Sequence, residues 1–454
     1  MRALFTGLLL VVCLIFGGSF DPVMAAEIKL AKAERVGMSS KRLEHIGSVM
    51  RKLIDEKKIP GTVSMVARKG KVVHFEANGL RDVERGLPME LDTIFRLYSQ
   101  SKPVTGVAVM ILFEEGRFLL TDPVSKYLPE FSDMRVYIGE EDGVVKTEPA
   151  APITIQQLLT HTSGLTYDFL PSPVARMYYE NGVVGAAHII GSLQEGMKSG
   201  QVSTLKNLAE WSELVATMPL VAQPGTQWNY SVGMDVLGRL VEVVSGKSYG
   251  EFLEERLFDP LGMVDTGFYV PKEKLDRFAA NYMPSTEGKM QLFDDPQNSP
   301  YAVPPNLEMG GSGLVGTVGD YLRFAQMLAN KGEYEGVRVM GRKTVEFMVS
   351  NHLTPDFPDD PLTSLDVSRR PYLGEGGRSW GLGFGLTGSV VTNPATHGLP
   401  LSKGVFGWGG AASTNFWIDH VEELVGIIHT QLLPSGTYPT EPLMKLTTYQ
   451  AIID

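Results

Sequence analysis

Cysteine is almost absent: the 454-residue chain carries one, Cys13. A single thiol excludes an intrachain disulfide framework and a Cys-rich zinc site. Long apolar runs are missing too. Leu8 to Phe16 is an unbroken run of nine, and no later stretch approaches the about 20 residues that span a bilayer. Basic residues are the minority, 41 against 52 acidic, for a formal charge of −11. An acidic chain without basic runs is a poor binder of phosphate backbones, so no nucleic-acid partner is expected. The eight histidines contain no H-E-x-x-H, no P-loop occurs, and no G-x-G-x-x-G follows a strand and opens a helix as dinucleotide binding requires. G-x-S-x-G strings occur at Gly246–Gly250 and Gly377–Gly381, but the first ends a stretch read as helical and the second leads into strands, so neither is the strand-to-helix elbow of common α/β-hydrolases. The rest is ordinary for a soluble globular protein, at 43% hydrophobic and 20% charged. Length alone suggests roughly three domains.

Residues 1–26 read MRALFTGLLLVVCLIFGGSFDPVMAA. A basic start, a short apolar centre and small residues before Glu27 form the pattern of a secretory signal peptide. The bland alternative is an N-terminal helix that stays in place. Removal would take Cys13 with it and leave the charge balance unchanged. The expectation is an exported chain, periplasmic or secreted, with no stable membrane insertion after cleavage.

Residues 38–57 place Leu43, Ile46, Met50 and Ile54 on one helical face, with Ser39 or Ser40 as cap. Two β-branched runs then flank Lys69-Gly70 as a hairpin. Residues 94–98 read as a short strand. Lys102 to Glu115 is an apolar helix with Pro103 in its first turn. Residues 154–250 are mainly helical, 281–310 read as a long loop, and 320–330 and 342–348 are helical again. Trp380 to Leu433 reads as strands with Gly-rich turns, and Pro442 to Ile453 as a closing helix. The pattern implies an α/β (α+β) body with an inserted helical lobe. We expect one catalytic unit over 27–454, with an α/β lobe from about 35–98 and 310–454 and a helical lobe from about 99–309.

A serine hydrolase without the usual elbow needs another base, and Ser-x-x-Lys offers one. Two matches exist, Ser99-Gln100-Ser101-Lys102 and Ser203-Thr204-Leu205-Lys206. Ser203 opens a polar amphipathic helix and reads as an N-cap. Ser99 instead follows a strand and opens an apolar helix, whose unpaired N–H groups and dipole favour a developing alkoxide. Lys102, three residues on, lies on the same helical face. Burial among Val104, Val107, Met110 and Ile111 would lower its pKa and make it a usable base.

With these residues in place, the chain resembles the serine β-lactamase-like hydrolases: class C β-lactamases, penicillin-binding DD-peptidases and, most of all, the family VIII carboxylesterases. The resemblance covers roughly 35–435 through ordered segments such as LTDPVSKYLPEF (120–131), ITIQQLLTHTSGL (153–165), PLGMVDTGF (260–268) and FGWGGAASTNFWID (406–419). It implies a β-lactamase/DD-peptidase-like fold, an antiparallel sheet flanked by helices with a mainly helical lobe. It also implies that Tyr230, in Tyr230-Ser231-Val232, is the third catalytic residue. The third family motif matches Trp408-Gly409-Gly410. The backbone N–H groups of Ser99 and Ala411 would form the oxyanion hole, and Gln100, Trp408, Gly409 and Gly410 would contact substrate. Val232 stands where the family has asparagine, and Trp408 where many members carry lysine, so two polar contacts to β-lactams are missing. His161 and Asp122 read as loop-stabilising residues, and Gly310, Gly311 and Gly313 as a tight turn beside the site.

The resemblance thus implies hydrolysis of a small-molecule ester or amide through an acyl-enzyme, with no metal and no cofactor. Carboxylic esters fit Trp408 and Val232 best. A β-lactamase, DD-peptidase or D-amino-acid amidase would use the same residues, and a non-catalytic cell-wall binder would use none of them. Expressed in a bacterium with a secretory pathway, the chain is expected to lose about 26 residues. Intact mass of the periplasmic protein reads this directly, and a full-length cytoplasmic product would contradict it.

Overall fold

The computed structural model describes residues 28–183, 205–285, 287–353 and 381–454. The leader-like segment 1–26, Ser203, the 195–202 stretch and Trp380 lie outside the described residues. Helix α1 (Ser40–Asp55) starts where Ser39 accepts the Arg42 N–H at 3.3 Å. Its buried stripe is Leu43, Ile46, Met50 and Leu53. Strands β1 (Gly61–Arg68) and β2 (Lys71–Asp82) follow, and β3 (Leu87–Pro88) pairs with β2. Their turn has φ of 50° at Lys69 and 69° at Gly70, the two positive values a two-residue hairpin requires.

Phe95–Arg96 pairs with Val315–Gly316. A 3-10 turn, Tyr98–Ser101, leads directly into α2 (Lys102–Glu114), buried on all sides from Lys102 to Leu112. Helix α3 (Gly233–Ser245) packs against α2. After α4 (Val318–Ala329) come β4 (Leu382–Phe384), β5 (Ser389–Val391), β6 (Phe406–Gly409), β7 (Asn415–Asp419) and β8 (Leu424–His429), then α5 (Thr440–Tyr449).

These strands form one antiparallel sheet in the order β4-β5-β6-β7-β8-β1-β2-β3. The first strand lies beside the last, with Val63 opposite His429 and Ala67 opposite Val425. One face carries α1 and α5, with Ile46, Met50, Trp417 and Met444 in a shared core. The other face carries α4 and the helical region. There Val63, Met65, Phe416 and Ile427 join Val107, Leu158, Val236 and Phe324 in a single core. β1 is buried along its whole length, polar Thr62 and Ser64 included.

The expected fold class holds. The long loop expected over 281–310 does not: it contains a hairpin, Asn281–Pro284 with Met290–Asp294. Its strands are only four and five residues long, too short for periodicity to give a signal. What orders them is Arg96, fully buried. Its Nε donates to Asp294 at 2.6 Å, Nη1 to the Ala279 carbonyl at 2.6 Å, and Nη2 to Ser299 at 3.2 Å. The guanidinium also lies 4.0 Å from the Phe278 ring centroid. A second unforeseen hairpin joins Arg135–Glu141 to Val144–Pro149.

Arg96→Ala is therefore expected to destabilise the fold by about 3–5 kcal/mol, because Asp294 keeps a buried charge without its partner. Urea unfolding measures this; a loss under about 1 kcal/mol would show that the cluster is incidental.

Candidate active site

Ser99 lies in the 3-10 turn ahead of α2. The residue before it, Tyr98, has φ 46°, a left-handed value costly for a bulky side chain. Packing holds it there. Tyr98 is buried, its hydroxyl accepts from Asn281 Nδ2 at 3.1 Å, and its ring meets Tyr301 edge-on at 6.2 Å. The turn leaves Ser99 half-buried, whereas Ser101 is fully buried and accepts the Leu314 N–H at 3.1 Å. Of the two serines in the motif, only Ser99 is open to a reactant.

The Lys102 side chain is 0% exposed. Its Nζ is 3.0 Å from Ser99 Oγ and donates to the Gly311 carbonyl at 2.7 Å. It also lies 4.6 Å from the Tyr230 ring centroid and 5.2 Å from that of Tyr167. Burial drives this amine well below the ordinary lysine value, and the nearby Asp235 carboxylate opposes the shift. Burial pushes Asp235 up in turn, opposed by the Lys102 charge.

Tyr230 reaches the site from the segment entering α3. That segment is tied to the 161–166 stretch: the Asn229 N–H donates to the His161 carbonyl at 2.8 Å and Val232 N–H to Thr166 at 3.3 Å. His161 lies fully buried behind Tyr230, with rings 4.8 Å apart, and its Nδ1 is 3.1 Å from Ser231 Oγ. Burial and the Lys102 charge hold its pKa well below the ordinary value, so it stays neutral. Val232 is fully buried. Asp122 ties its loop, accepting from the Leu119 N–H, Lys126 and Tyr127.

The end of β6 supplies the opposite wall. Trp408 is half-buried, its ring 5.8 Å from Tyr230 and 5.3 Å from Phe384. The strand end presses on the nucleophile turn: a Cβ at Gly410 would lie 2.1 Å from the Leu97 carbonyl, which also accepts from Thr414 Oγ1 at 3.2 Å. Only glycine fits there. Gly409 and Ala411 flank it, half-buried.

The structure thus gathers Ser99, Lys102, Tyr230 and the 408–411 edge. Gln100 is fully buried, and its backbone carbonyl accepts from the Tyr321 hydroxyl at 2.9 Å. Sequence reasoning passed over Asp235, Tyr167, Trp228 and Phe384. Asp235 carried a faint signal, a lone carboxylate in the first turn of an apolar helix. The aromatic rings carried none, since their convergence is a tertiary fact. Among the described residues, no three His, Cys, Asp or Glu side chains are placed to hold a metal. No described helix is long and apolar enough to cross a membrane.

Comparisons with known proteins point to one family. The profile of the Beta-lactamase family matches residues 46–445. Esterase EstB of Burkholderia gladioli is 31% identical, over 86% of this chain and 91% of its own. Lovastatin esterase of Penicillium rubens is 30% identical, over 82% of this chain and 89% of its own. Among solved structures, EstCE1, described as a hydrolase with promiscuous acyltransferase activity, superposes with a TM-score of 0.71 at 27% identity, covering 90% of this chain and 99% of its own.

A serine-directed fluorophosphonate is expected to label Ser99 alone, faster as pH rises through the Lys102 titration. Peptide mapping locates the adduct; label on Ser101, or labelling that survives Ser99→Ala, would contradict this arrangement.

Proposed function

The chain belongs to the Beta-lactamase family and is a serine hydrolase; we propose that it cleaves carboxylic esters through an acyl-enzyme on Ser99. The observation that carries the reading is the buried Lys102 amine 3.0 Å from the half-exposed Ser99 hydroxyl. A desolvated amine is a base at pH values where a free lysine, of pKa about 10.4, is not. Lys102 takes the Ser99 proton as Oγ bonds to the ester carbonyl carbon. The carbonyl electron pair moves onto oxygen, where the N–H groups of Ser99 and Ala411 receive it. Tyr230, over which Lys102 lies, passes a proton to the departing alkoxide. Water, deprotonated by the same pair, then releases the acid and frees Ser99.

The choice of ester rests on what surrounds Ser99. Tyr230, over which Lys102 lies, packs with Trp228, Phe384 and half-buried Trp408 in one aromatic cluster. Trp408 brings no positive charge for the carboxylate of a penicillin, and buried Val232 brings no amide for its acylamino group. The names of EstB and lovastatin esterase support the same choice. An alcohol replacing water in the second step would give acyl transfer, the side activity named for EstCE1. The reading extends to location and organisation. The leader-like residues 1–26 support export, and the shared core from sheet to helices supports one catalytic unit.

Purified protein is expected to hydrolyse a short-chain nitrophenyl ester quickly and a chromogenic cephalosporin negligibly. Ser99→Ala should lose at least about 1,000-fold in kcat/KM. Faster cephalosporin turnover would make it a β-lactamase. No turnover and no phosphonate labelling would make it a binding protein.

A further inference from the structure

Lys102 has a partner besides Ser99, the Gly311 carbonyl, and Gly311 has a partner of its own. The Gly311 N–H donates to Asp235 Oδ1 at 2.7 Å. Asp235 sits in the first turn of α3 and is 0% exposed. Its Oδ2 has no hydrogen-bond partner among the described residues. A Cβ at Gly311 would lie 2.8 Å from that Oδ2 and 2.8 Å from the Tyr167 hydroxyl. Carboxylate, phenol and glycine therefore close on one another without slack. The neighbouring Gly310 carbonyl accepts from Thr105 on α2 at 2.6 Å, which pins the same loop to the helix that bears Lys102.

A carboxylate is a costly group for that place. Asn or Ser would accept a single N–H as well, without burying a charge. An ionised carboxylate in a dry interior costs several kcal/mol unless a cation answers it. The titratable groups that meet its charge are Lys102 on α2, Tyr167 on the loop after the 153–159 segment, and Tyr249 beyond α3; Asp168 and Tyr230 face Tyr167, Glu308 faces Tyr249, and His161 faces Lys102. Burial keeps the Tyr167 and Tyr249 phenols protonated and His161 neutral. Lys102 is the group that supplies countercharge.

We propose that Asp235 is a positioning residue for the reaction at Ser99: through Gly311 it fixes the Lys102 amine, and its charge strengthens that amine as a proton acceptor. The inference rests on the ester-hydrolase reading above. Its physical logic is compensation. Burial makes Lys102 free base, yet burial alone also makes it a feeble acceptor, because the ammonium formed as Ser99 attacks would have no counterion. Asp235 stabilises that ammonium when the proton arrives.

Asp235→Asn keeps an oxygen for the Gly311 N–H and removes the charge. Without the carboxylate, the Lys102 ammonium is less stable and its pKa falls. The acid limb of kcat/KM against pH is therefore expected to move about one unit lower, while the plateau drops. A merely structural role would lower the plateau and leave the limb in place. If the amide variant does not fold, as judged by circular dichroism melting, Asp235→Ser offers a smaller neutral acceptor for the same measurement. A limb that stays at the wild-type position in the folded variant overturns the proposal. The wild-type rate and its loss in Ser99→Ala are measured alongside: if those fail, the ester reading has failed, and if they hold, only the role of Asp235 is at stake.

Discussion

Everything at the site depends on an amine buried at the start of an apolar helix. Helix α2 is packed on all sides, so Lys102 has no route to water, and its Nζ must find partners within reach of the backbone. Two are present, the Ser99 hydroxyl and the Gly311 carbonyl. The first turns desolvation into basicity next to a nucleophile. The second requires the 309–313 loop to lie against both α2 and α3, and that requirement accounts for glycine at 310 and 311. At each, a side chain would enter the space of Met234, Thr105, Asp235 or Tyr167.

The geometry of Ser99 is supported from farther away. Tyr98 carries a left-handed backbone that isolated residues of its size avoid. Such strain persists where packing over-determines it. The support comes from the Arg96 cluster, the Asn281–Asp294 hairpin and the Leu97 carbonyl gripped by Thr414. These contacts also set the distance between Ser99 and the Trp408 edge. The sheet that carries this edge is completed only when β8 meets β1, so segments more than 350 residues apart in the chain close one structure.

Elements governed by local pattern were legible in the sequence. The Ser39 cap, the Lys69-Gly70 turn, the apolar α2 and the helix at 342–348 each follow from residues within a turn or two of one another. The pairing of Ser99 with Lys102 was legible for the same reason: three residues of helix fix their relation. The hairpin at 281–294 was not, because its strands are short and held by Arg96 from far upstream.

The sequence by itself determined the pairing of Ser99 with Lys102, the family motifs and the class of fold, since each is written in short-range spacing. Tertiary structure alone decided which groups control that base. Asp235, Tyr167 and Gly311 converge on Lys102 from separate segments, and Trp228, Phe384 and Trp408 converge on Tyr230. Burial is the reason for the division. Spacing places two groups on one helix, but desolvation, counterions and aromatic walls exist only once distant segments have excluded water together.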